Sequence, residues 1–404
     1  MADQPLIYKT RHFKELDGIR GVNLVVVLAT HFGLTTIGWV AMEMFFVLSG
    51  YLITISLMGL KATQRPNILT YFLRRRVARI MPLYFLYIGV LAAVSFVAPF
   101  HKTFFSDLPQ LGTFVFNYSM FPDHLTSIWY SHLWSISLEE QFYIFCGLGV
   151  FFLKVDKYRK IALALAVLAP AFRLAISSYG RSKGWGEFEV GRSVYFHSLG
   201  QLDSFLFGSC VALFGLQKSW RPALVIFVLT LAALGFGGWV NSQGDLASWY
   251  RHFGYVGAFD FGLPLFYTGN YTHVWAYSLV SLALSSFMVL IIGSPKKVFF
   301  LTKKVFKNRL LVLFGQWSYG AYILHWGFVP LFKGWFRQLS ASLGAPWLRE
   351  EVLQFPFYFL SVVLMGAATF YFFEQPMKRL IMGEKKWWRI EFRGSVGRSD
   401  GFKG

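Results

Sequence analysis

Long apolar segments recur along the whole chain, and they constrain the fold more than any other feature of the sequence. A helix that crosses a bilayer needs about 20 mostly apolar residues. Segments of this kind lie near residues 18–37, 39–59, 79–98, 132–153, 160–178, 198–216, 222–240, 274–293, 311–333 and 352–374. Alternating strand patterns are weak and scattered, which argues against an outer-membrane β-barrel. The sequence therefore predicts an all-α polytopic membrane helix bundle with about ten transmembrane helices.

The distribution of charge supports this interpretation and orients the bundle. Only 15% of the residues are charged, against about 25% in a soluble domain. The basic residues behind the net charge of +19 are unevenly distributed among the loops. With the N-terminus inside, 30 of the 39 Lys and Arg residues fall on the cytoplasmic side and 8 on the other. This asymmetry follows the positive-inside rule and predicts that both termini are cytoplasmic. The surplus charge is therefore mainly an orientation signal, and we predict no nucleic-acid partner.

The remaining features predict one integral domain. We expect a membrane domain over residues 1–374 and a basic cytoplasmic tail over 375–404, with no cleavable signal peptide. Two shorter apolar stretches, near 104–121 and 256–269, fall below spanning length and are either re-entrant pieces or loops folded against the bundle. Cys146 and Cys210 lie in separate predicted spans, which favours two buried apolar residues over a disulfide or a nucleophile.

Ionisable residues inside spans are the candidates for function, because each costs several kcal/mol unless it is paired or faces a cavity. Arg20 and His31 are 11 residues apart in the first span, so a helix places them on one face and about 16 Å apart in depth. An interfacial arginine and a histidine bonded to a neighbouring helix would be the structural interpretation. Glu43, in the second span, is expected at the depth of His31. It forms either a pair with that imidazole or a solvated interfacial group.

A polar stripe marks the fourth span. His132, Ser135 and Glu139 are spaced i, i+3 and i+7, with Glu140 about 100° away around the helix. Acidic residues at a helix start can complement the helix dipole, but these lie two turns inside, where that effect has faded. The stripe therefore favours a polar cavity.

Basic and acidic residues in other spans complete the set. Arg76 and Arg79 share a helical face at the entrance of the third span, either as topology anchors or as ligands for phosphate. Arg173 and Asp203 are expected to pair across helices, and His325 is also interpreted as structural.

Taken together and in chain order, these motifs resemble the acyltransferase 3 family of integral membrane acyltransferases. The matching residues are 16–20 with His31, 45–52, Arg76 and Arg79 with Ile80 and Pro82, 132–143, 318–325, and 374–376 with Arg379. Two departures exist: Glu43 stands where the family commonly has Asp, and 201–203 matches its segment only loosely. Many relatives carry a soluble hydrolase-like extension at the C-terminus, and the chain is expected to be the stand-alone form without it.

The resemblance implies a reaction and a location. It implies a multi-pass protein of the bacterial inner membrane that transfers an acyl group, most often acetyl, from cytoplasmic acyl-CoA. The implied acceptor is a hydroxyl of a cell-surface or lipid-linked carbohydrate, although other members acylate macrolides and similar small molecules. By position, Arg20 and His31 are the implied essential pair, and Arg76 and Arg79 lie on the donor side. Glu139 and Glu140 are implied on the acceptor side.

A mechanism follows as a hypothesis. His31 acts as general base on the acceptor hydroxyl, and a two-step route through an acylated histidine or Tyr319 stays open. The candidate catalytic residues are His31, Glu43, His132, Glu139 and Glu140, and the candidate residues for binding acyl-CoA are Arg20, Arg76, Arg79 and Tyr319. No metal is predicted, because no group of His, Cys and Asp has ligand spacing.

Two other classes of protein remain as alternatives. A proton-coupled transporter of a lipid or sugar would also place ionisable residues in spans, but no related halves or paired broken helices are visible. A scaffold protein gives no reason for a buried polar stripe. Aromatic residues in the outer loops either stack on sugar rings or belong to interfacial belts; they are Trp129, Tyr130, Trp185, Trp249, Tyr250, Tyr255 and Trp347.

Overall fold

The structure is a computed structural model that describes residues 13–63, 67–97, 101–122, 127–253, 260–295 and 297–383. Within these ranges the chain forms helices, turns and bends, with no strand, as the sequence predicts. The α-helices in chain order are α1 Lys14–Phe32, α2 Gly38–Ala62, α3 Ile68–Ser95, α4 His101–Gly112, α5 Trp134–Phe152, α6 Val155–Ser182, α7 Glu187–Phe196, α8 Leu202–Leu213, α9 Trp220–Ser242, α10 Leu246–Phe253, α11 Thr272–Gly293, α12 Phe300–Phe306, α13 Arg309–Leu343, α14 Glu351–Thr369 and α15 Gln375–Met382.

Each of the ten predicted spans falls on a helix, and the described part of the chain has six segments long and apolar enough to cross a membrane. These six are α2, α3, α6, α9, α11 with the turn before it, and α14 with α15. The protein is therefore a multi-pass membrane protein, while the count of ten and the orientation of the termini stay predictions. The predicted sixth span forms α8, whose 12 residues rise only about 18 Å.

Glycine residues let two pairs of helices touch at the backbone. Gly21 of α1 lies against the Leu311 carbonyl of α13, and Gly50 of α2 lies against the Phe205 carbonyl of α8. A Cβ atom at either position would overlap the facing oxygen. Small residues allow this close approach of helices in membranes. The pair α1 and α13 is important below, because both helices carry candidate site residues.

The predicted pairing of Arg173 with Asp203 is confirmed. Both side chains are fully buried, and the Arg173 Nη2 atom lies 2.5 Å from the Asp203 Oδ1 atom. The Arg173 Nε donates to the Gly200 carbonyl at 2.8 Å, and its Nη1 donates to Ser278 Oγ at 2.7 Å. Ser278 in turn donates to Asp203 Oδ2 at 2.5 Å. This closed network ties α6, α8 and α11 together.

Other predicted features have the following places. Cys146 and Cys210 are buried free thiols. The shorter stretch 104–121 forms the end of α4 and a 3-10 turn, Phe116–Met120, whereas 256–269 lies partly outside the described residues. The predicted tail begins with α15, where Arg74 Nε donates to the Ile381 carbonyl at 2.8 Å.

Candidate active site

Three histidines from different parts of the chain meet inside the bundle. We call them, together with Trp326, the histidine cluster; the three are His31, His132 and His325. The Nδ1 atom of His31 lies 2.6 Å from Nε2 of His325. The ring centroids of His132 and His325 are 5.1 Å apart. Trp326 lies edge-on against His31, with ring centroids 4.0 Å apart. His132 and His325 are buried, and His31 is half-buried.

Local structure places these rings. Helix α1 ends at Phe32 and is capped by Gly33, which adopts a left-handed φ of 105°, so His31 lies in the last turn of the helix. His132 belongs to a short 3-10 turn before α5. Its Nε2 atom lies 3.0 Å from the Ile323 carbonyl of α13. The Nδ1 atom of His325 lies 2.5 Å from the Tyr322 carbonyl. Helix α13 therefore anchors both neighbours of His31.

His325 is the residue whose place near His31 the sequence analysis missed, because it was interpreted as structural. His325 is hydrogen-bonded to His31 through Nε2 and to the Tyr322 carbonyl through Nδ1, so both of its ring nitrogens have a partner. A signal was available in the sequence: a second histidine lies in a matching motif of the ninth predicted span. In the described part of the chain, no three His, Cys, Asp or Glu side chains are placed to hold a metal ion.

Glu43 is not a partner of His31, and it is not a solvated interfacial group either. The side chain is fully buried. Its Oε2 atom accepts hydrogen bonds from Ser204 of α8 and, at 2.8 Å, from Ser281 of α11. The close contact between α2 and α8 turns this face of α2 toward α8 and α11. Both predicted environments of Glu43 are therefore wrong.

A second group of polar side chains lies toward the other end of the same helices, and we call it the arginine cluster. Its members are Arg20, Arg76, Arg79, Glu139, Glu140, Tyr143, Tyr319 and Glu374. The Arg76 guanidinium lies over the Tyr143 ring at 5.3 Å. Arg79 lies within electrostatic reach of Arg20 and Glu374. Arg20 has a carboxylate neighbour on its own helix, Asp17, at 4.0 Å. The four residues that the sequence analysis proposes for binding acyl-CoA therefore lie in one cluster.

The two adjacent glutamates belong to the arginine cluster. Glu139 accepts hydrogen bonds from Ser49 at 2.6 Å and from the Tyr143 hydroxyl at 3.2 Å. Glu140 is 7% exposed and its Oε1 atom has no hydrogen-bond partner among the described residues. Arg76 lies within electrostatic reach of Glu140. The predicted stripe is thus divided: Ser135 bonds Tyr322 beside the histidines, whereas the two glutamates lie among the arginines.

The two clusters are linked because they share helices. Helix α1 carries Arg20 and His31, and α13 carries Tyr319 and His325. Helix α5 carries both glutamates and begins directly after the turn that holds His132. The Tyr319 hydroxyl donates to the Ile80 carbonyl of α3 at 2.6 Å, which joins α13 to the arginine-bearing helix. These polar residues also explain why α1, α5 and α13 are less apolar than the six other segments.

Two of the predicted outer loops line a cleft of about 880 Å³. Trp249 and the half-exposed Tyr271 lie along it with Glu187 and Asp245. The pKa of Glu187 is lowered, because Arg181 and Thr268 donate hydrogen bonds to its carboxylate. Tyr255, another predicted outer aromatic residue, lies outside the described residues.

The fold and the two clusters define a multi-pass membrane protein with a polar site enclosed by its helices. The chain belongs to the acyltransferase 3 family, whose acyltransferase domain matches residues 13–374. This match spans every residue of both clusters. No solved structure matches the chain significantly.

Curated proteins similar to the chain include O-acetyltransferases, at low identity. The peptidoglycan O-acetyltransferase OatA of Listeria monocytogenes is 29% identical over 174 residues, covering 40% of this chain and 28% of that protein. The O-acetyltransferase OatA of Staphylococcus aureus is 23% identical over 410 residues, covering 92% of this chain and 58% of that protein. A putative O-acetyltransferase of S. aureus is 24% identical over 356 residues, covering 81% and 52%. The chain thus spans about half the length of its more extensively matched relatives.

Proposed function

We propose that the protein is a membrane O-acyltransferase, and specifically an O-acetyltransferase of the bacterial inner membrane. The donor is acyl-CoA, held at the arginine cluster, and the acceptor is a hydroxyl of a cell-surface or lipid-linked carbohydrate. Family membership supports acyl transfer, and the names of the relatives support acetyl transfer to oxygen. One of those names specifies peptidoglycan, which favours a carbohydrate polymer as acceptor.

The hydrogen-bond chain from Tyr322 through His325 to His31 is the observation that carries the proposal. A carbonyl oxygen can only accept, so His325 Nδ1 bears the hydrogen that bonds the Tyr322 carbonyl. In a neutral ring, His325 Nε2 is then an acceptor, and His31 Nδ1 is the donor to it. This assignment leaves the lone pair of His31 on Nε2. His31 is therefore set up as a general base.

The reaction is balanced with His31 as base and then as acid. The Nε2 atom of His31 takes the proton of the acceptor hydroxyl, and the acceptor oxygen forms a bond to the acyl carbon. Collapse of the tetrahedral intermediate breaks the carbon–sulfur bond. The proton then passes from His31 to the thiolate of coenzyme A. The products are the O-acyl ester and free coenzyme A, and no acyl-enzyme is required.

The arginine cluster supplies the other half of the proposal. Guanidinium groups bind phosphate oxygens in a bidentate manner, which suits the phosphates of coenzyme A. Coenzyme A is cytosolic, and the loop charge bias independently favours this end of the helices as the cytoplasmic one. Glu139 and Glu140 lie among these guanidinium groups, so we assign them a role in positioning the donor-side residues. We assign the membrane domain to residues 1–374 and a cytoplasmic location to the basic tail.

The test uses the purified protein in lipid nanodiscs with radiolabelled acetyl-CoA. We expect His31→Ala to abolish transfer to fragments of surface glycan while binding of acetyl-CoA, measured as thermal stabilisation, is retained. His197→Ala is the matched control, because this histidine lies outside both clusters and accepts a hydrogen bond from the Leu199 backbone. Retained transfer by His31→Ala would contradict the role of the base. Absence of any stabilisation by acetyl-CoA would favour a transporter instead.

The acceptor is tested in cells. Mass spectrometry compares surface glycans of the host strain with those of a deletion strain. We expect acetyl groups to be lost on deletion and restored by the wild-type gene but not by His31→Ala. Unchanged surface glycans would favour a small-molecule acceptor.

A further inference from the structure

Trp326 has a polar group that the hydrogen-bond chain does not use. Its ring lies at 77° to the His31 ring, with centroids 4.0 Å apart. Its Nε1 atom is buried and has no hydrogen-bond partner among the described residues. A buried N–H without a partner costs free energy, and native structures contain few of them. The ring that carries this donor contacts the ring of the proposed base, so a ligand that reaches His31 would also reach the Trp326 side chain.

A second unpaired atom belongs to another ring of the same cluster, His132. The His132 Nε2 atom bonds the Ile323 carbonyl, so it bears the hydrogen and Nδ1 bears the lone pair. That Nδ1 atom is buried and has no hydrogen-bond partner in the described part of the chain. The rings of His132 and Trp326 are 6.4 Å apart. The histidine cluster thus has one unpaired donor and one unpaired acceptor, a combination that suits a ligand carrying both a carbonyl and a hydroxyl group.

We propose that the Trp326 N–H stabilises the oxyanion of the tetrahedral intermediate, which makes Trp326 a catalytic residue. This inference rests on the proposed function. When the acceptor oxygen bonds to the acyl carbon, the carbonyl electron pair moves onto its oxygen, and the indole N–H donates to that oxygen. When the carbonyl re-forms, the pair returns and the carbon–sulfur bond breaks. The proton remains with His31 until the thiolate receives it.

The chemistry of indole suits this role. The Nε1 group is a donor only, so it does not compete with His31 for the hydroxyl proton. The Nε1 atom is buried, and a fixed dipole away from water acts more strongly on developing charge than it does in solution. Loss of a single oxyanion donor lowers turnover by about 100-fold to 1000-fold in well-studied enzymes.

The test replaces the donor and keeps an aromatic ring. We expect Trp326→Phe to lower kcat by about 100-fold and to leave KM for both substrates unchanged, because the oxyanion exists only in the transition state and the intermediate. Trp317→Phe is the matched control. Trp317 lies on α13 too, its N–H is also buried without a hydrogen-bond partner among described residues, and nine residues of helix place it on the opposite face, against Phe314 and Tyr371.

The outcomes separate this inference from the proposed function. Full turnover by Trp326→Phe, with His31→Ala inactive, overturns the oxyanion role alone, whereas a wild-type protein that transfers no acetyl group from acetyl-CoA overturns the proposed function. An equal fall in kcat for Trp317→Phe also overturns the oxyanion role, because the loss would then be a general effect on packing. If Trp326→Phe does not fold, Trp326→His, which keeps a ring N–H, is compared with Trp326→Met. A rate for the His variant no higher than that for the Met variant counts against the proposal.

Discussion

The Arg173 network and the histidine cluster are both polar groups buried inside the bundle, but they differ in how completely they are paired. Each guanidinium nitrogen of Arg173 has a partner, and both oxygens of Asp203 accept hydrogen bonds. In the histidine cluster, His132 Nδ1 and Trp326 Nε1 have no partner among the described residues. A closed network holds helices together, whereas an open one has hydrogen-bonding capacity left for a ligand. Four predictions test this comparison.

The largest effect is expected from opening the closed network. Arg173→Met leaves the Asp203 carboxylate buried without its cation, and breaking such a pair costs about 3–5 kcal/mol. We expect a large fall in the thermal unfolding temperature of the protein in detergent and low recovery from membranes. The double variant Arg173→Met with Asp203→Leu is the control and should recover most of the stability, because apolar replacement of a buried pair is often neutral. A stable single variant would contradict the structural role.

The second prediction concerns activity with little loss of stability. His325→Leu removes the acceptor for His31 Nδ1–H, so the tautomer of the base is no longer fixed, and we expect kcat to fall about 100-fold. His325→Gln offers an amide oxygen near the same place and should lose only about tenfold. KM should change little in both, because His325 contacts neither substrate in the proposed reaction. Equal rates for the two variants would show that His325 acts only through packing.

The third prediction moves to the arginine cluster. We expect Arg76→Gln to raise KM for acetyl-CoA by about tenfold, which corresponds to about 1.4 kcal/mol of lost phosphate binding. Arg76→Lys should keep part of the affinity, since a lysine is a point charge without the bidentate geometry. Arg74→Gln is the neighbouring control, because Arg74 bonds the Ile381 carbonyl instead. An equal rise in KM for Arg74→Gln would mean that general surface charge binds the donor.

The smallest effect is expected at Glu43. Its carboxylate is bonded to two serines of α8 and α11, so Glu43→Gln should change kcat by less than about threefold, under 1 kcal/mol on the barrier. Unfolding temperature and kcat are measured together. A fall in kcat beyond about 100-fold at unchanged stability would restore Glu43 to the catalytic group that the sequence predicts.

The sequence predicted features that depend on one helix at a time. The length of the apolar segments placed every predicted span on a helix, and the helical spacing of Arg20 and His31 placed both on one helix. The sequence did not predict which helices contact each other. The backbone contacts of Gly21 with Leu311 and of Gly50 with Phe205 decide that His31 meets His325 and that Glu43 meets α8. Such contacts join residues about 150 to 300 positions apart, and single-helix periodicity carries no information about them.

The glycine contact between α1 and α13 has a consequence for donor selectivity. Arg20 and His31 lie on one continuous helix, α1, which fixes their separation along it at about 16 Å, and the backbone contacts at Gly21 and Gly315 prevent α13, with His325, from sliding along that helix. In the proposed reaction, the distance between Arg20 and His31 selects donors by their length. A donor reacts when its arm between phosphate and thioester spans that length, and donors with a shortened arm are rejected even when their phosphates bind.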